Sequence, residues 1–85
     1  MSMIVSEQIR AARAALKWTI DDLSAKTDVS VRTIKRIEAL DGVPSSHTQT
    51  LNAIRTALEA AGIEFIGTPT DRPGVRLRGG EQERD

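Results

Sequence analysis

The 85-residue sequence has no cysteine and no tyrosine, and its only histidine is His47. Disulfides and thiolate metal sites are thereby excluded, and a protein-made zinc or iron centre has too few soft ligands, so neither metal nor cofactor is expected. Catalysis has little to build on: no credible nucleophile accompanies the single histidine, and the chain does not read as an enzyme. The aromatic residues are Trp18 and Phe65, whereas proteins that hold single strands stack bases on several rings. No apolar run approaches the roughly 20 residues of a membrane span, and the apolar start at 1–5 is short and lacks the charged leader of a secretory signal. The expectation is a cytoplasmic protein with no membrane partner.

Net charge is missing too, because twelve Lys and Arg balance twelve Asp and Glu. Zero net charge argues against coating nucleic acid by bulk positive charge. The distribution is uneven, however. Between positions 29 and 37 stand Arg32, Lys35 and Arg36 with no acid among them. An ordinary solvated helix face would look the same on charge alone, so the decision falls to spacing.

A chain this short forms one domain at most, and caps and periodicity predict four helices and an extended tail. Ser6 is placed to cap a first helix, to about 17, with Ile9, Ala12 and Leu16 on its apolar face. Thr19 caps a second over 20–26, with Asp22 as its capping-box partner and Trp18 and Leu23 as a hydrophobic staple. Trp18 is thus read as a core residue rather than a base-stacking platform. Ser30 caps a third helix over 31–40 that buries Ile34 and Ile37. After a loop at 41–44, Ser46 and Gln49 form a capping box for a fourth helix with the stripe Leu51, Ile54, Ala57, Leu58 and Ala61, ended by Gly62 in the left-handed conformation. Beyond it the period becomes two. Ile63 and Phe65 alternate with Glu64 and Ile66, and Val75 and Leu77 with Arg76 and Arg78. The resulting division is a helix-turn-helix unit over 1–66, then a C-terminal part over 67–85 comprising a proline-containing loop, a short strand at 75–78 and a disordered tail.

Two short helices joined by a tight turn, the second opening with polar and basic side chains, suit a major groove. The third helix would present Val31, Arg32 and Arg36 to base edges, since arginine has the fork for guanine O6 and N7 and valine can pack on a thymine methyl.

These residues carry a family resemblance over 9–63. Leu23, Val29 in the turn, Thr33-Ile34, Ile37-Glu38, Pro44 and Leu51 make the sequence similar to the Cro and C1 repressor type of helix-turn-helix, the XRE family. The resemblance implies a mainly α, lambda-repressor-like bundle of four to five helices, here with a short C-terminal hairpin or strand pair, that binds operator DNA as a dimer. It also implies a structural ion pair between Arg13 and Glu38. The sequence departs from the family's glutamine at Ile20, alanine at Ser24, aliphatic residue at Thr27 and glycine at Asp28. The first departure puts one phosphate contact in doubt, while aspartate tolerates the left-handed backbone that the last requires.

Phosphate contacts are expected from Thr19, Ser30, Thr33, Lys35, Ser46 and His47, with an exposed place in the helix cap as the alternative for His47. One such module covers one half-site, so a homodimer spanning about 34 Å is expected. The strands offer Phe65, Ile66, Val75 and Leu77 for dimerisation, because an exposed edge invites pairing. The function read here is a sequence-specific regulator of double-stranded DNA, a repressor on a palindromic operator. The alternatives are an antitoxin that also regulates its own promoter and meets a toxin, or a protein-interaction module that has lost DNA.

Overall fold

The computed structural model describes residues 4–39, 41–44 and 46–78. Four helices, α1 (Ser6–Leu16), α2 (Ile20–Thr27), α3 (Val31–Ala39) and α4 (Thr48–Ala60), precede a hairpin of β1 (Ile63–Thr68) and β2 (Asp71–Leu77). This is the helix-turn-helix bundle with a C-terminal hairpin that the periodicity implies.

The apolar stripes meet in a single cluster. Ile9 and Ala12 of α1, Leu23 of α2, Ile34 and Ile37 of α3, Ile54 and Leu58 of α4 and Ile63 of β1 are all buried there. Each large side chain among them is worth about 1.5–3 kcal/mol on removal from water. Trp18, Leu51, Phe65 and Val75 pack against its rim, so Trp18 takes the core place expected of a staple. None of the described helices is long and apolar enough to cross a membrane.

Two helix starts differ from the sequence expectation. Val5, not Ser6, is the cap of α1. Ser6 is instead a buried first-turn residue whose Oγ donates to the Ile37 carbonyl at 2.6 Å, satisfying an acceptor near the C-terminal end of α3 that lacks a helical partner. Gln8 takes over the capping, with its Oε1 accepting the Val5 N–H at 2.9 Å. Likewise α4 is capped by His47 without a side-chain bond. Ser46 and Gln49 therefore do not form the expected box: the helix begins two residues after Ser46, so Gln49 sits in the wrong register to close it.

The C-terminal part is more ordered than its prolines suggest. β2 begins at Asp71 rather than at 75, and the strands pair antiparallel with Ile63↔Leu77, Glu64↔Arg76, Phe65↔Val75 and Ile66↔Gly74. An irregularity between Ile66 and Thr68 sets Gly67 opposite both Arg72 and Pro73. Proline is tolerated at such a bulge because no ladder donor is required of it. Gly67 is needed there: its φ is +79°, and an added Cβ would collide with the Asp71 and Arg72 carbonyls. Gln8 fastens the hairpin to α1, its Nε2 donating to Ile66 O at 3.1 Å and Gly74 O at 2.8 Å. Leu40 and the tail at 79–85, for which helix and disorder were expected, lie outside the described residues.

Candidate nucleic-acid interface

Helix α2 is started by a reciprocal cap. Thr19 Oγ1 accepts the Asp22 N–H at 3.0 Å while Asp22 Oδ2 accepts the Thr19 N–H at 2.8 Å. The Thr19 hydroxyl proton is left to donate elsewhere. At its other end α2 stops on Asp28, whose φ of +63° is left-handed, and the turn to α3 is closed by hydroxyls. Thr27 Oγ1 accepts the Val29 N–H at 3.1 Å and donates to Leu23 O at 2.8 Å, and Ser24 Oγ donates to Val29 O at 2.6 Å. Three of the positions that depart from the family pattern thus cooperate: Asp28 supplies the reversal, and Ser24 and Thr27 satisfy both polar groups of the turn residue Val29.

Ser30 opens α3, its Oγ accepting the Thr33 N–H at 3.1 Å and donating to Thr33 Oγ1 at 3.0 Å. The buried side of α3 is Ile34, Ile37 and Glu38. On the opposite side Arg32 and Arg36, one turn apart, are both exposed, as is Lys35 beside them. Val31 is half-buried; three residues before Ile34, it sits on the shoulder of the open face rather than at its centre. Thr19, Ser30 and His47 are exposed, and Thr33 and Ser46 half-buried.

Behind this surface one guanidinium ties α1 to α3. Arg13 Nε and Nη2 grip Glu38 Oε2 and Oε1 at 3.0 and 2.7 Å, and Nη1 donates to the Trp18 carbonyl at 3.1 Å. The carboxylate end is nearly sealed, its side chain 6% exposed against 21% for Arg13. Hydrogen bonding to Glu38 raises the Arg13 pKa above the ordinary arginine value; burial opposes the shift and the Glu38 charge adds to it. The pair that the resemblance implied is therefore present, and it also reaches the residue preceding the α2 cap. Arg10 was missed by the sequence reading. It bonds Glu38 O and pairs with Asp41 at 2.8 Å, fixing the exit from α3. An arginine one turn before Arg13 was the available signal, but nothing in the spacing names its partners.

A paired-helix turn with an open, acid-free cationic face is the geometry of a groove reader. Residues 9–48 match the family model described as helix-turn-helix. The segment is an XRE-family helix-turn-helix of the Cro/C1 type. It is a DNA-binding unit of a regulatory, non-enzymatic domain family. No curated protein matched the chain. Leu23, Ile34 and Ile37, all inside the matched segment, are buried as its core.

Proposed function

We propose that the protein is a cytoplasmic, sequence-specific transcriptional regulator of double-stranded DNA, a repressor that binds a palindromic operator as a homodimer. The observation that carries this reading is the open face of α3, where Arg32 and Arg36 are exposed one turn apart with no acid from position 29 to 37. Arg32 and Arg36 read base edges, each able to grip a guanine through its fork, and Val31 adds an apolar contact from the shoulder. Thr19, Ser30, Thr33, Lys35, Ser46 and His47 set the register by meeting phosphates, helped by the free N–H groups at the start of α2. The zero net charge is compatible with this division, since the acids that balance the chain stand outside positions 29–37. Phe65, Ile66, Val75 and Leu77 supply the dimer surface, which sets two α3 helices about one duplex turn apart.

Titrating duplex affinity against salt tests the reading. Neutralising several phosphates makes log K fall linearly with log salt, by about 0.9 per phosphate. A steep line is expected, whereas affinity indifferent to salt, or no affinity, would leave the fold as a protein-interaction module.

A further inference from the structure

The loop that leaves α3 is tied to the start of α1 by a clasp of three bonds. The Ser6 N–H donates to Gly42 O at 2.8 Å, the Gly42 N–H to Glu7 Oε1 at 2.9 Å, and Arg10 Nη2 to Asp41 Oδ1 at 2.8 Å. The last two bonds occupy the very groups that react with each other at an aspartyl-glycyl link. There the amide nitrogen attacks the aspartyl side-chain carbon, and glycine permits the approach because it has no Cβ to shield its nitrogen. Asp21, Asp22, Asp28 and Asp71 each precede a residue with a side chain, whereas Asp41 precedes Gly42. The Asp41 side chain is 77% exposed. Even a Cβ built on Gly42 would meet nothing within 4 Å, so the described residues leave room for the attack, and what opposes it is the clasp.

We propose that the Asp41-Gly42 link is a self-modification site held closed by this clasp, and that it converts through a succinimide to isoaspartate whenever the loop opens. In the first step the bond from Gly42 N to Asp41 Cγ forms, and a carboxyl oxygen leaves as water with the acid proton and the amide proton. In the second, water adds to the main-chain carbonyl carbon of Asp41 and the bond from that carbon to Gly42 N breaks. The chain then runs through Cγ, and the former main-chain carbon carries the free carboxylate. No oxidant or partner is consumed, since the water lost on closure is regained on opening. Closure requires the peptide plane between Asp41 and Gly42 to turn until the nitrogen faces Cγ. Glu7 holds that plane by its N–H, Ser6 holds the next one by its carbonyl, and Arg10 holds the carboxyl. Because Arg10 also donates to Glu38 O, the guard is anchored on the end of α3 as well as on α1. The product, its main chain lengthened by a methylene, cannot remake the three bonds together, so conversion frees the exit of α3 from α1. This chemistry is independent of DNA binding.

Peptide mapping with electron-transfer fragmentation tells isoaspartate from aspartate and follows the conversion in the 85-residue protein held at neutral pH. Product is expected at position 41, slowly in the native fold and faster in the same chain unfolded by guanidinium chloride. None should form there in Asp41→Glu, whose longer side chain cannot make the five-membered ring. Glu7→Ala frees the Gly42 N–H and should speed conversion of the folded protein by about three- to ten-fold, the worth of one hydrogen bond. Thr27→Val, which loosens the α2–α3 turn instead, should convert at close to the native rate. Conversion of the native fold at the unfolded rate, no product at 41 in the unfolded chain, a Glu7→Ala no faster than native, or equal acceleration in Thr27→Val overturns the proposal. If Glu7→Ala loses its helical circular dichroism, amide exchange of the native chain decides in its place. The Gly42 N–H must then exchange more slowly than in the unfolded chain, because local bonds that hold show as protection, and an unprotected amide removes the guard.

Discussion

Removing the Arg13 side chain would leave the Glu38 carboxylate buried without its two-pronged donor and the Trp18 carbonyl without its bond. Stranding half of such a pair costs about 3 to 5 kcal/mol, and in a domain of this size each kcal/mol moves the melting midpoint by roughly 4 to 8 °C. Arg13→Ala is therefore expected to melt at least about 12 °C lower, and an unchanged midpoint would refute the structural role. The pH dependence has a definite sign. A pKa raised on folding contributes stability that is complete below the unfolded-state value and disappears as pH rises through the folded one. For an arginine both values are strongly alkaline, so Arg13 stays charged and contributes no change to the midpoint difference between native and Arg13→Ala protein from about pH 6 to 9. On the open face of α3 the consequences differ. Arg32→Ala and Arg36→Ala should each cost about 1 to 3 kcal/mol on the preferred duplex and relax the preference, while Lys35→Ala should weaken all duplexes alike. Competition binding with preferred and random duplex distinguishes these, and equal losses for Arg36→Ala on both would remove it from base reading.

The turn between α2 and α3 offers the sharpest prediction among the elements. Thr27→Val keeps the side-chain shape but leaves the Val29 N–H without its acceptor, a loss of about 1 to 3 kcal/mol. Denaturant unfolding measures it; a cost of zero would mean that the hydroxyl does not hold the turn. How legible each element was follows from the physics that fixes it. The helices and their buried faces could be read because Ile9, Leu23, Ile34, Ile37, Ile54 and Leu58 recur at the helical period, and burial depends on that period alone. The cap of α2 was legible because Thr19 and Asp22 bond within four residues of each other. The starts of α1 and α4 were not. Ser6 is drawn away from its local capping role by the Ile37 carbonyl, 31 positions along the chain, and α4 uses no side-chain cap. β2 was read short because Pro73 and Gly74 carry loop signals, and only the pairing of Gly67 with two residues across the bulge shows how they fit a strand.

At the scale of the whole molecule, a chain of zero net charge can serve as a DNA reader only through the placement of its charges. Arg32, Lys35 and Arg36 are exposed together on one helix, while Arg10 pairs with Asp41, Arg55 with Glu59 and Arg76 with Glu64 away from that helix face. The exposed cationic face of α3 was legible in the sequence because spacing and charge coincide there. The hairpin edge was legible only as alternation, since which groups point outward depends on the register of the pair. Selection of bound sites from a randomised duplex pool tests the central claim most directly, with native protein and the Arg32→Ala/Arg36→Ala variant run side by side. The native chain should enrich a palindromic site with half-sites about one helical turn apart, and the variant should enrich none. Enrichment of the same site by both proteins, or of no site by the native chain, would contradict the account.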